Sequence, residues 1–229
     1  MAESQTVLGM FARYPEPGRT KTRLAATIGD EAAAKLYAAF VEDLTKRLPD
    51  LADRFVGAVT PADERTSSWF LRLLDGSGDV MTQPEGSLGD RIRWYFESQG
   101  SDKNRVVLVG SDSPDIPADI VLSAFSELHA FDVVIAPATD GGYVLIGLRV
   151  APGPLFDEVA WSSSSTLVDT LTACAKQNLT VRLLQPWYDV DQTENVGTLR
   201  SLQMTAESPA AKCPRTTEIL KQLSAAFQV

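Results

Sequence analysis

Short runs of consecutive apolar residues, separated by longer stretches of helical period, constrain the fold of this chain most strongly. Two of these runs, 106–109 and 133–135, contain only valine, leucine and isoleucine. Strands with no polar residue at alternate positions are covered on both faces, as in parallel sheets flanked by helices. The stretch 30–48 carries its apolar residues along one face of a 3.6-residue period. The alternation predicts an α/β fold in three layers, with a mostly parallel sheet between helices.

The predicted elements extend along most of the chain. Strands are predicted at residues 5–11, 54–60, 79–83, 105–110, 132–137, 142–148 and 179–185. Besides 30–48, helices are predicted at about 163–177, with Ser162 as N-cap, and at about 215–226, after a loop over 205–215. The sequence contains no internal repeat and no low-complexity linker, so residues 1–229 are expected to form a single domain.

The composition argues against some classes of partner. The formal net charge is -9 and the sequence pI is about 4.7, which argues against a nucleic-acid-binding surface. No apolar run approaches the ~20 residues of a membrane span, and no basic segment followed by an apolar core marks a signal peptide. The two cysteines, Cys174 and Cys213, form no CxxC pair. They are expected to be free thiols in a reducing compartment, so the predicted location is cytoplasmic.

A cluster of positive charge follows the first predicted strand, in contrast to the negative charge of the whole chain. Residues 13–23 contain the cationic side chains Arg13, Arg19, Lys21 and Arg23. Ligands of open α/β sheets bind beyond the carboxyl ends of the strands, which is where this loop is expected to lie. The loop therefore predicts a site for an anion, with phosphate as the expected one. It is not a P-loop, because positions 15 and 20 are Pro and Thr where that motif has glycines.

Acidic residues follow three other predicted strands. These residues are Asp112, Asp140, Asp189 and Asp191. If the strands are parallel, the carboxylates meet at one edge of the sheet, where a shared Mg²⁺ or Mn²⁺ would offset their repulsion. The alternative is that these aspartates form turns and helix caps. The sequence Asp140-Gly141-Gly142 fits a hairpin turn, and its two glycines would also leave room for a ribose or a sugar.

Six segments, in this order along the chain, resemble a known family of transferases. They are KTRL at 21–24, QPEGSLGDR at 83–91, GSDSP at 110–114, DGGY at 140–143, WS at 161–162 and DVD at 189–191. Members of that family are often assigned as glycosyltransferases linked to radical-SAM or selenium-containing genes. The family is more distantly similar to sugar-nucleotide pyrophosphorylases, molybdopterin-guanine nucleotide transferases and 2-phospholactate guanylyltransferase. The resemblance implies the nucleotide-diphosphosugar transferase fold, of the glycosyltransferase-A type.

The resemblance also implies a role for each matching position. The positions that would contact the nucleotide are Arg13, Gly18, Lys21, Arg23, Gln83, Leu88 and Gly89. Among them, Lys21 and Arg23 would contact the phosphates, and the segment 83–89 would read the base. Asp112 and Asp191 match the metal ligands of the family, with Asp189 as the less favoured ligand. The implied cofactor is therefore Mg²⁺ or Mn²⁺.

Three positions depart from the pattern of that family. Arg13 stands where Lys is usual, and Ser163 stands where Thr is usual. Gln192 follows the late acidic pair, where the family often has Thr. The first two changes keep a charge or a hydroxyl group, whereas the third removes a hydroxyl group close to the predicted metal site.

The chemistry implied by the family needs the negative charge of the leaving group to be stabilised, which the metal, Lys21 and Arg23 would do. The predicted catalytic residues are Lys21, Asp112 and Asp140, the last as general base of an inverting glycosyl transfer. The favoured reaction is glycosyl transfer from a nucleotide sugar to a small-molecule acceptor. The alternatives are nucleotidyl transfer from a nucleoside triphosphate to a phosphorylated small molecule, and nucleotide binding without catalysis.

Three further features are open to more than one interpretation. Residues 189–193 also fit the DxDxT pattern of haloacid-dehalogenase phosphatases, although in that family the pattern follows the first strand. Trp161 is either a core residue or a platform on which a sugar ring stacks. The single histidine, His129, is expected near a helix end and away from the ligand edge of the sheet.

Overall fold

The computed structural model describes residues 4–205 and 207–223, which form a seven-stranded sheet with helices on both faces. The strands are β1 (Thr6–Arg13), β2 (Arg54–Thr60), β3 (Asp79–Thr82), β4 (Arg105–Gly110), β5 (Val133–Pro137), β6 (Tyr143–Leu148) and β7 (Val181–Leu183). The α-helices are α1 (Thr22–Ile28), α2 (Asp30–Arg47), α3 (Glu64–Leu74), α4 (Leu88–Ser98), α5 (Ala118–Glu127), α6 (Thr166–Lys176), α7 (Thr193–Gln203) and α8 (Pro214–Gln222).

The strands are arranged in the order β3-β2-β1-β4-β6-β5-β7. Strand β6 is antiparallel to both of its neighbours, and the other adjacent strands are parallel. The mostly parallel α/β fold is therefore confirmed, and each of the seven predicted strands is present. The predicted strand 179–185 is longer than β7, which pairs with β5 over only three residues at the edge of the sheet.

The register of the central strands brings their carboxyl ends to one level. Phe11 of β1 is aligned with Ala58 of β2 and with Gly110 of β4. Strand β5 runs in the same direction as β4, because each is antiparallel to the β6 strand between them. The loops that follow β1, β4, β5 and β7 therefore leave the sheet at the same edge, where its ligands are expected.

Two apolar clusters, one on each face of the sheet, form the core. Helices α1, α2, α3, α5, α7 and α8 contribute to one cluster, and α4 and α6 contribute to the other. In β4, Val107 and Val109 belong to the first cluster, and Val106 and Leu108 belong to the second. Each of these four side chains is at most 4% exposed. Both faces of the strand are thus covered, which explains its lack of polar alternation and confirms the three-layer arrangement.

Helix α4 packs very closely on β1 at Gly9. A Cβ atom added at Gly9 would lie 2.1 Å from the hydroxyl oxygen of Tyr95, far inside van der Waals contact. Tyr95 is fully buried. Because glycine permits this approach, the first turn of α4, with Leu88 and Arg91, reaches the ligand edge of the sheet.

The start of α6 differs from the prediction. The helix begins at Thr166, and its N-cap is Ser165 rather than Ser162. Ser162 has a left-handed φ of 58°, so it belongs to a turn. The turn continues through a hydrogen bond of 3.2 Å from the Ser165 N–H to the hydroxyl oxygen of Ser163. Because serine hydroxyl groups hydrogen-bond to the backbone in this turn, the helix begins at Thr166 instead of Ser163.

The carboxyl-terminal region also differs in detail. The predicted loop 205–215 contains a short 3-10 helix, Pro209–Lys212, and the final helix ends at Gln222. Residue 206 of that loop and residues 224–226 of the predicted helix lie outside the described residues. Within the described ranges, the helices are too short or too polar to cross a membrane.

Candidate active site

Lys21 lies at the centre of the candidate site, immediately before helix α1. Its backbone is left-handed, with φ 52° and ψ 46°, a conformation that few non-glycine residues adopt. Its ammonium nitrogen lies 2.6 Å from a carboxylate oxygen of Asp112 and 2.6 Å from one of Asp191. The Lys21 side chain is 3% exposed, whereas those of Asp112 and Asp191 are 45% and 37% exposed. The two carboxylates therefore reach solvent, while the ammonium group that they contact is buried.

Opposing effects act on the charge of Lys21. Burial alone would lower the pKa of this lysine, but the carboxylates of Asp112 and Asp191 outweigh burial and raise the pKa from 10.5 to about 12. Lys21 is therefore cationic throughout the neutral pH range. Because its ammonium group stays charged between Asp112 and Asp191, Lys21 limits the repulsion between these two carboxylates.

Contacts between two loops hold Asp112 and Asp191 side by side. The backbone N–H of Val190 donates to the carbonyl oxygen of Asp112 at 2.8 Å, which joins the loop after β7 to the loop after β4. The hydroxyl group of Tyr188 donates to the buried carboxylate of Asp115 at 2.6 Å and joins the same loops a second time. The separation of the two acidic side chains is thus set by tertiary contacts.

Asp189 belongs to the same acidic group but has a different environment. It accepts a hydrogen bond of 2.7 Å from the hydroxyl group of Ser113. Burial, followed by the charge of Asp112, raises the pKa of Asp189 from 3.8 to about 7. Its role as the less favoured metal ligand stays a prediction.

A cleft at this edge of the sheet has two adjoining halves. The first half has a volume of about 570 Å³, within the range of ligand pockets. We call it the basic half, because its charged lining consists of Arg13, Arg19, Lys21, Arg23, Arg91, Asp112 and Asp191. The cationic loop after β1, for which the sequence predicts an anion site, forms much of this lining.

The second half of the cleft has a volume of about 510 Å³. We call it the acidic half, because its charged lining consists of Asp112, Asp140, Asp189, Asp191 and Arg23. Its remaining surface is formed largely by the ends of β4 and β6, by Tyr143 and Trp161, and by the serines at 162–164. Asp112, Asp191 and Arg23 line both halves and mark the boundary between them.

The structure brings most of the predicted site residues into this cleft. Those that line it are Arg13, Lys21, Arg23, Gln83, Leu88, Asp112, Asp140, Gly142, Asp189 and Asp191. The cationic and acidic loops therefore meet at one edge, as the parallel strands predict. His129 contacts Arg105 at the opposite end of β4, away from the cleft, as expected.

Three glycines among the predicted site residues act on the backbone and on packing. Gly18, Gly89 and Gly141 do not line either half of the cleft. Gly18 turns the cationic loop with a φ of 76°. A Cβ atom at Gly89 would lie 2.6 Å from the indole nitrogen of Trp161, and one at Gly141 would lie 2.3 Å from the backbone oxygen of Ser164. Gly18 thus shapes the loop, and Gly89 and Gly141 permit close packing beside the cleft. A contact of these three residues with a nucleotide stays a prediction.

The turn at Asp140-Gly141-Gly142 joins β5 to β6, so the predicted hairpin is confirmed. The carboxylate of Asp140 accepts a hydrogen bond of 3.0 Å from the backbone N–H of Gly142. Asp140 is also exposed and lines the acidic half. The same residue therefore forms the turn and faces the cleft.

Arg91 is a cleft residue that the sequence pattern does not single out. Its guanidinium group donates to the side-chain oxygen of Gln83 at 3.3 Å, and the Gln83 amide in turn donates to the carbonyl oxygen of Ala58 at 2.7 Å. The Nε atom of Arg91 is buried without a hydrogen-bond partner among the described residues. Gln83 thus acts as a support for Arg91. Its place at the end of the segment 83–91 was the available signal.

Trp161 forms an aromatic wall of the acidic half together with Tyr143. The two rings pack edge to face, with centroids 6.3 Å apart, and Trp161 also packs on Phe156 at 6.1 Å. Trp161 is half-buried and lines the cleft. It therefore packs against the core on one side and faces the cleft on the other, so both interpretations of this residue stay open.

The pair Asp112 and Asp191 has the chemistry to share a divalent cation with a ligand. Their oxygens converge on one nitrogen atom, and both side chains reach the cleft. Mg²⁺ is typically held by one or two carboxylates together with substrate phosphates. Among the described residues, no group of three or more acidic, histidine or cysteine side chains is arranged to hold a metal alone. The residues fit a metal that is bound together with phosphates.

Several solved structures share this fold. The chain is similar to a candidate nucleotide-diphospho-sugar transferase from Desulfovibrio desulfuricans G20, at 31% identity and a TM-score of 0.84, over 96% of this chain and 99% of that one. A cytidylyltransferase from Leptospira borgpetersenii matches at 14% identity and a TM-score of 0.57, over 99% and 98% of the chains. The CMP:2-keto-3-deoxy-manno-octonic acid synthetase, solved with CTP, matches at 12% and 0.53, over 88% and 99%. The nucleotide-diphosphosugar transferase fold is thus confirmed.

Sequence comparison identifies the family. None of the curated proteins compared with the chain is significantly similar to it. The profile of the family described as uncharacterized protein conserved in bacteria, DUF2064, matches residues 43–163. That region covers more than half of the chain and includes Asp112, Asp140 and the segment 83–91. Together with the similarity to the D. desulfuricans protein, the match shows that this chain belongs to the DUF2064 family.

Proposed function

We propose that this protein is a metal-dependent transferase that moves a glycosyl group from a nucleotide sugar to a small-molecule acceptor. The observation that carries the proposal is the cluster of Lys21, Asp112 and Asp191 at the boundary of the two halves of the cleft. The basic half would bind the nucleotide, and the acidic half would bind the acceptor. The similarity to a candidate nucleotide-diphospho-sugar transferase at 31% identity supports this assignment.

The basic half suits the phosphate groups of a nucleotide. Its arginines, with Lys21, present only hydrogen-bond donors, and guanidinium groups recognise phosphate through paired hydrogen bonds. A relative of the same fold was solved with CTP, which supports a nucleotide as the ligand here. The segment 83–91 would lie along the base, with Arg91 as its cleft-facing donor.

The proposed metal, Mg²⁺ or Mn²⁺, would be held by Asp112 and Asp191 and would stabilise the charge of the diphosphate leaving group. Lys21 orients both carboxylates and stays cationic beside them. Arg23 lines both halves of the cleft, which supports a contact with the phosphate nearest the reacting carbon. A cation and a guanidinium group at the leaving group are what transfer from a nucleotide requires.

The proposed reaction exchanges one bond at the sugar carbon for another. The oxygen of an acceptor hydroxyl group forms a bond to the anomeric carbon of the donor. The bond from that carbon to the diphosphate oxygen breaks, and its electron pair leaves with the nucleoside diphosphate. The hydroxyl proton passes to a carboxylate of the acidic half, for which Asp140 is the proposed base, because it is exposed and lines that half.

Nucleotidyl transfer is the second candidate, because two relatives of the same fold carry names of that class. In that reaction a phosphate oxygen of the acceptor would attack the α-phosphorus of a nucleoside triphosphate, and pyrophosphate would leave. A third candidate, nucleotide binding without catalysis, is less favoured because Asp112 and Asp191 both reach the cleft beside Lys21.

Thermal unfolding with a panel of ligands tests the proposal. Nucleoside triphosphates and nucleotide sugars are each added with Mg²⁺, with Mn²⁺ or with EDTA. A ligand at about 100 times its Kd adds about 2.7 kcal/mol of stability, which corresponds to a rise in Tm of roughly 5–10 °C for a chain of this size. A metal-dependent rise with a nucleotide sugar, lost in Asp112→Asn, supports the proposal. A rise with triphosphates alone favours nucleotidyl transfer, and no rise with any nucleotide contradicts both.

A cytoplasmic location is part of the same proposal. Cys174 and Cys213 are both free and buried. Free thiols of this kind suit a reducing compartment. Cell fractionation with the labelled protein tests the location directly.

A further inference from the structure

The two halves of the cleft carry charge of opposite sign. Five cationic side chains and two carboxylates line the basic half, whereas four carboxylates and one arginine line the acidic half. Asp112, Asp191 and Arg23 are common to both. The difference in charge therefore comes from the residues that line only one half. These are four cationic side chains in the basic half and the carboxylates of Asp140 and Asp189 in the acidic half.

The contacts of these carboxylates leave the acidic half negative. Lys21 offsets part of the charge of Asp112 and Asp191, with which it is in contact. Asp140 accepts from a backbone N–H, and Asp189 accepts from a hydroxyl group, so both of these hydrogen bonds come from neutral donors. Arg23 is exposed at the boundary rather than paired with Asp140 or Asp189 in an ion pair. Asp189, whose pKa is about 7, carries only part of a charge at neutral pH, so the negative excess of this half comes mainly from Asp112, Asp140 and Asp191.

A bound donor would leave this excess in place. The negative charges of a diphosphate group and the positive charges of a divalent cation largely cancel when they bind together. Both would lie where the basic half meets Asp112 and Asp191. The part of the acidic half formed by Asp140, Tyr143 and Trp161 would still be open to an acceptor, and its charge would be unchanged.

On the basis of the proposed function, we infer that the acceptor is an uncharged or amino-bearing hydroxyl compound, and that the acidic half excludes phosphorylated compounds. A phosphate monoester carries about −1.5 to −2 charges at pH 7. Carboxylates around a cleft repel such a group, and this repulsion is a means of rejecting wrong partners. The rings of Tyr143 and Trp161 offer an apolar face for the carbon skeleton of the acceptor.

This inference separates the two candidate reactions. Glycosyl transfer needs only an acceptor hydroxyl group in the acidic half. Nucleotidyl transfer to a phosphorylated molecule needs the acceptor phosphate to enter the same half, next to Asp140 and Asp189. The charge of the acidic half therefore favours glycosyl transfer.

Thiol labelling measures the charge of the acidic half without any nucleotide. Ser164 is exposed and lines only the acidic half, while Cys174 and Cys213 are 0% exposed. In the Ser164→Cys protein, the rate of modification by the cationic reagent aminoethyl methanethiosulfonate is compared with that by the anionic reagent sulfonatoethyl methanethiosulfonate. We expect the ratio of the two rates to exceed, by about tenfold, the ratio measured at Ser201→Cys. Ser201 is exposed on α7 and lies outside both halves.

Two controls connect this ratio to the carboxylates. The ratio should fall in 1 M salt, where the Debye length is about 3 Å. It should fall at least twofold when Asp140→Asn is added to the Ser164→Cys protein. Ser163→Cys provides a second reporter in the same half, and the labelling is repeated there if Ser164→Cys does not fold. Ratios at both positions that are equal to or below that of Ser201→Cys would overturn the inference.

A protection experiment tests the exclusion of phosphate directly. The neutral reagent methyl methanethiosulfonate modifies Ser164→Cys in the presence or absence of 50 mM inorganic phosphate. We expect no slowing by phosphate, and strong protection would overturn the inference. Because neither experiment needs a nucleotide, a high labelling ratio combined with no response in the ligand panel would reject the proposed function alone.

Discussion

The ammonium nitrogen of Lys21 lies 2.6 Å from a carboxylate oxygen of Asp191, although 170 positions separate the two residues in the sequence. Lys21 follows β1, and Asp191 follows β7, the last strand of the described chain. Both strands point to the same edge of the sheet, so their loops meet there. Asp112, from the loop after β4, completes the cluster. The charge of Lys21 is therefore balanced by carboxylates from two other loops, and each carboxylate has Lys21 as its cationic partner.

Replacing Lys21 should make the protein depend on divalent cations for stability. In Lys21→Met the carboxylates of Asp112 and Asp191 lose the cation between them and repel each other. The free energy of unfolding without metal should fall by about 1–3 kcal/mol. Addition of 5 mM Mg²⁺ should restore more stability to the variant than it adds to the wild type, as measured by urea denaturation. An identical response of the two proteins to Mg²⁺ would argue against a metal at this pair.

Asp112→Asn should abolish transfer while leaving the fold intact. Lys21 keeps Asp191 as a partner in this variant, so we expect a Tm within a few degrees of the wild type. Loss of a metal ligand removes stabilisation of the leaving group, and the rate should fall at least about 100-fold. Asp50→Asn, at an exposed site in the 3-10 helix after α2, serves as the control. Activity near that of the wild type in Asp112→Asn would remove this residue from the site.

Asp189→Asn should stabilise the protein at alkaline pH. The folded state raises the pKa of Asp189 to about 7, so between pH 3.8 and 7 it binds more protons at this residue than the unfolded state does. The stability of the wild type therefore falls as pH rises through this window. Asparagine does not titrate, so the stability of the variant relative to wild type should increase by about 2 kcal/mol from pH 5 to pH 8. Urea denaturation in EDTA measures the difference in unfolding free energy between the variant and the wild type. A difference that does not change with pH would contradict the raised pKa of Asp189.

Arg91→Ala should weaken nucleotide binding. The Arg91 guanidinium lines the basic half, and charge-assisted hydrogen bonds contribute about 1.5–3 kcal/mol, so affinity should fall roughly 10- to 100-fold. Arg93→Ala is a matched control, because Arg93 lies two positions away on α4 and pairs with Asp157 outside the cleft. Calorimetric titration with the nucleotide found in the ligand panel compares the two. An equal loss of affinity in both variants would mean that Arg91 acts through the stability of α4 and not through contact with the nucleotide.

Gly9→Ala should destabilise the fold. The added Cβ atom would lie 2.1 Å from the Tyr95 hydroxyl oxygen, so α4 and β1 would have to move apart. Overpacking of a core typically costs about 1–3 kcal/mol, and a contact this short should reach the upper end of that range. Gly197→Ala, on α7, is the control, because the new methyl group there meets open space. Its unfolding free energy should rise by about 0.5–1 kcal/mol, whereas a stable Gly9→Ala protein would contradict the close packing of α4.

Local sequence patterns are enough to predict the class of the fold and the edge of the sheet that carries the candidate site. Runs such as 106–109 have no polar residue at alternate positions, and only a strand covered on both faces can bury all of its side chains. Once the strands are parallel, the residues that follow them must meet at one edge. The meeting of Lys21 with Asp112 and Asp191 could therefore be anticipated from local patterns.

The arrangement of these residues follows from tertiary packing and cannot be read from local patterns. The 2.6 Å contacts of Lys21, the raised pKa of Asp189 and the cleft-facing position of Arg91 all depend on distances between segments remote in sequence. The same holds for Gly89 of α4, whose packing partner Trp161 lies in the loop before α6. A local pattern records which side chains are present and how each segment folds. Burial and the distances between charges arise when the segments pack, because they depend on every neighbour at once.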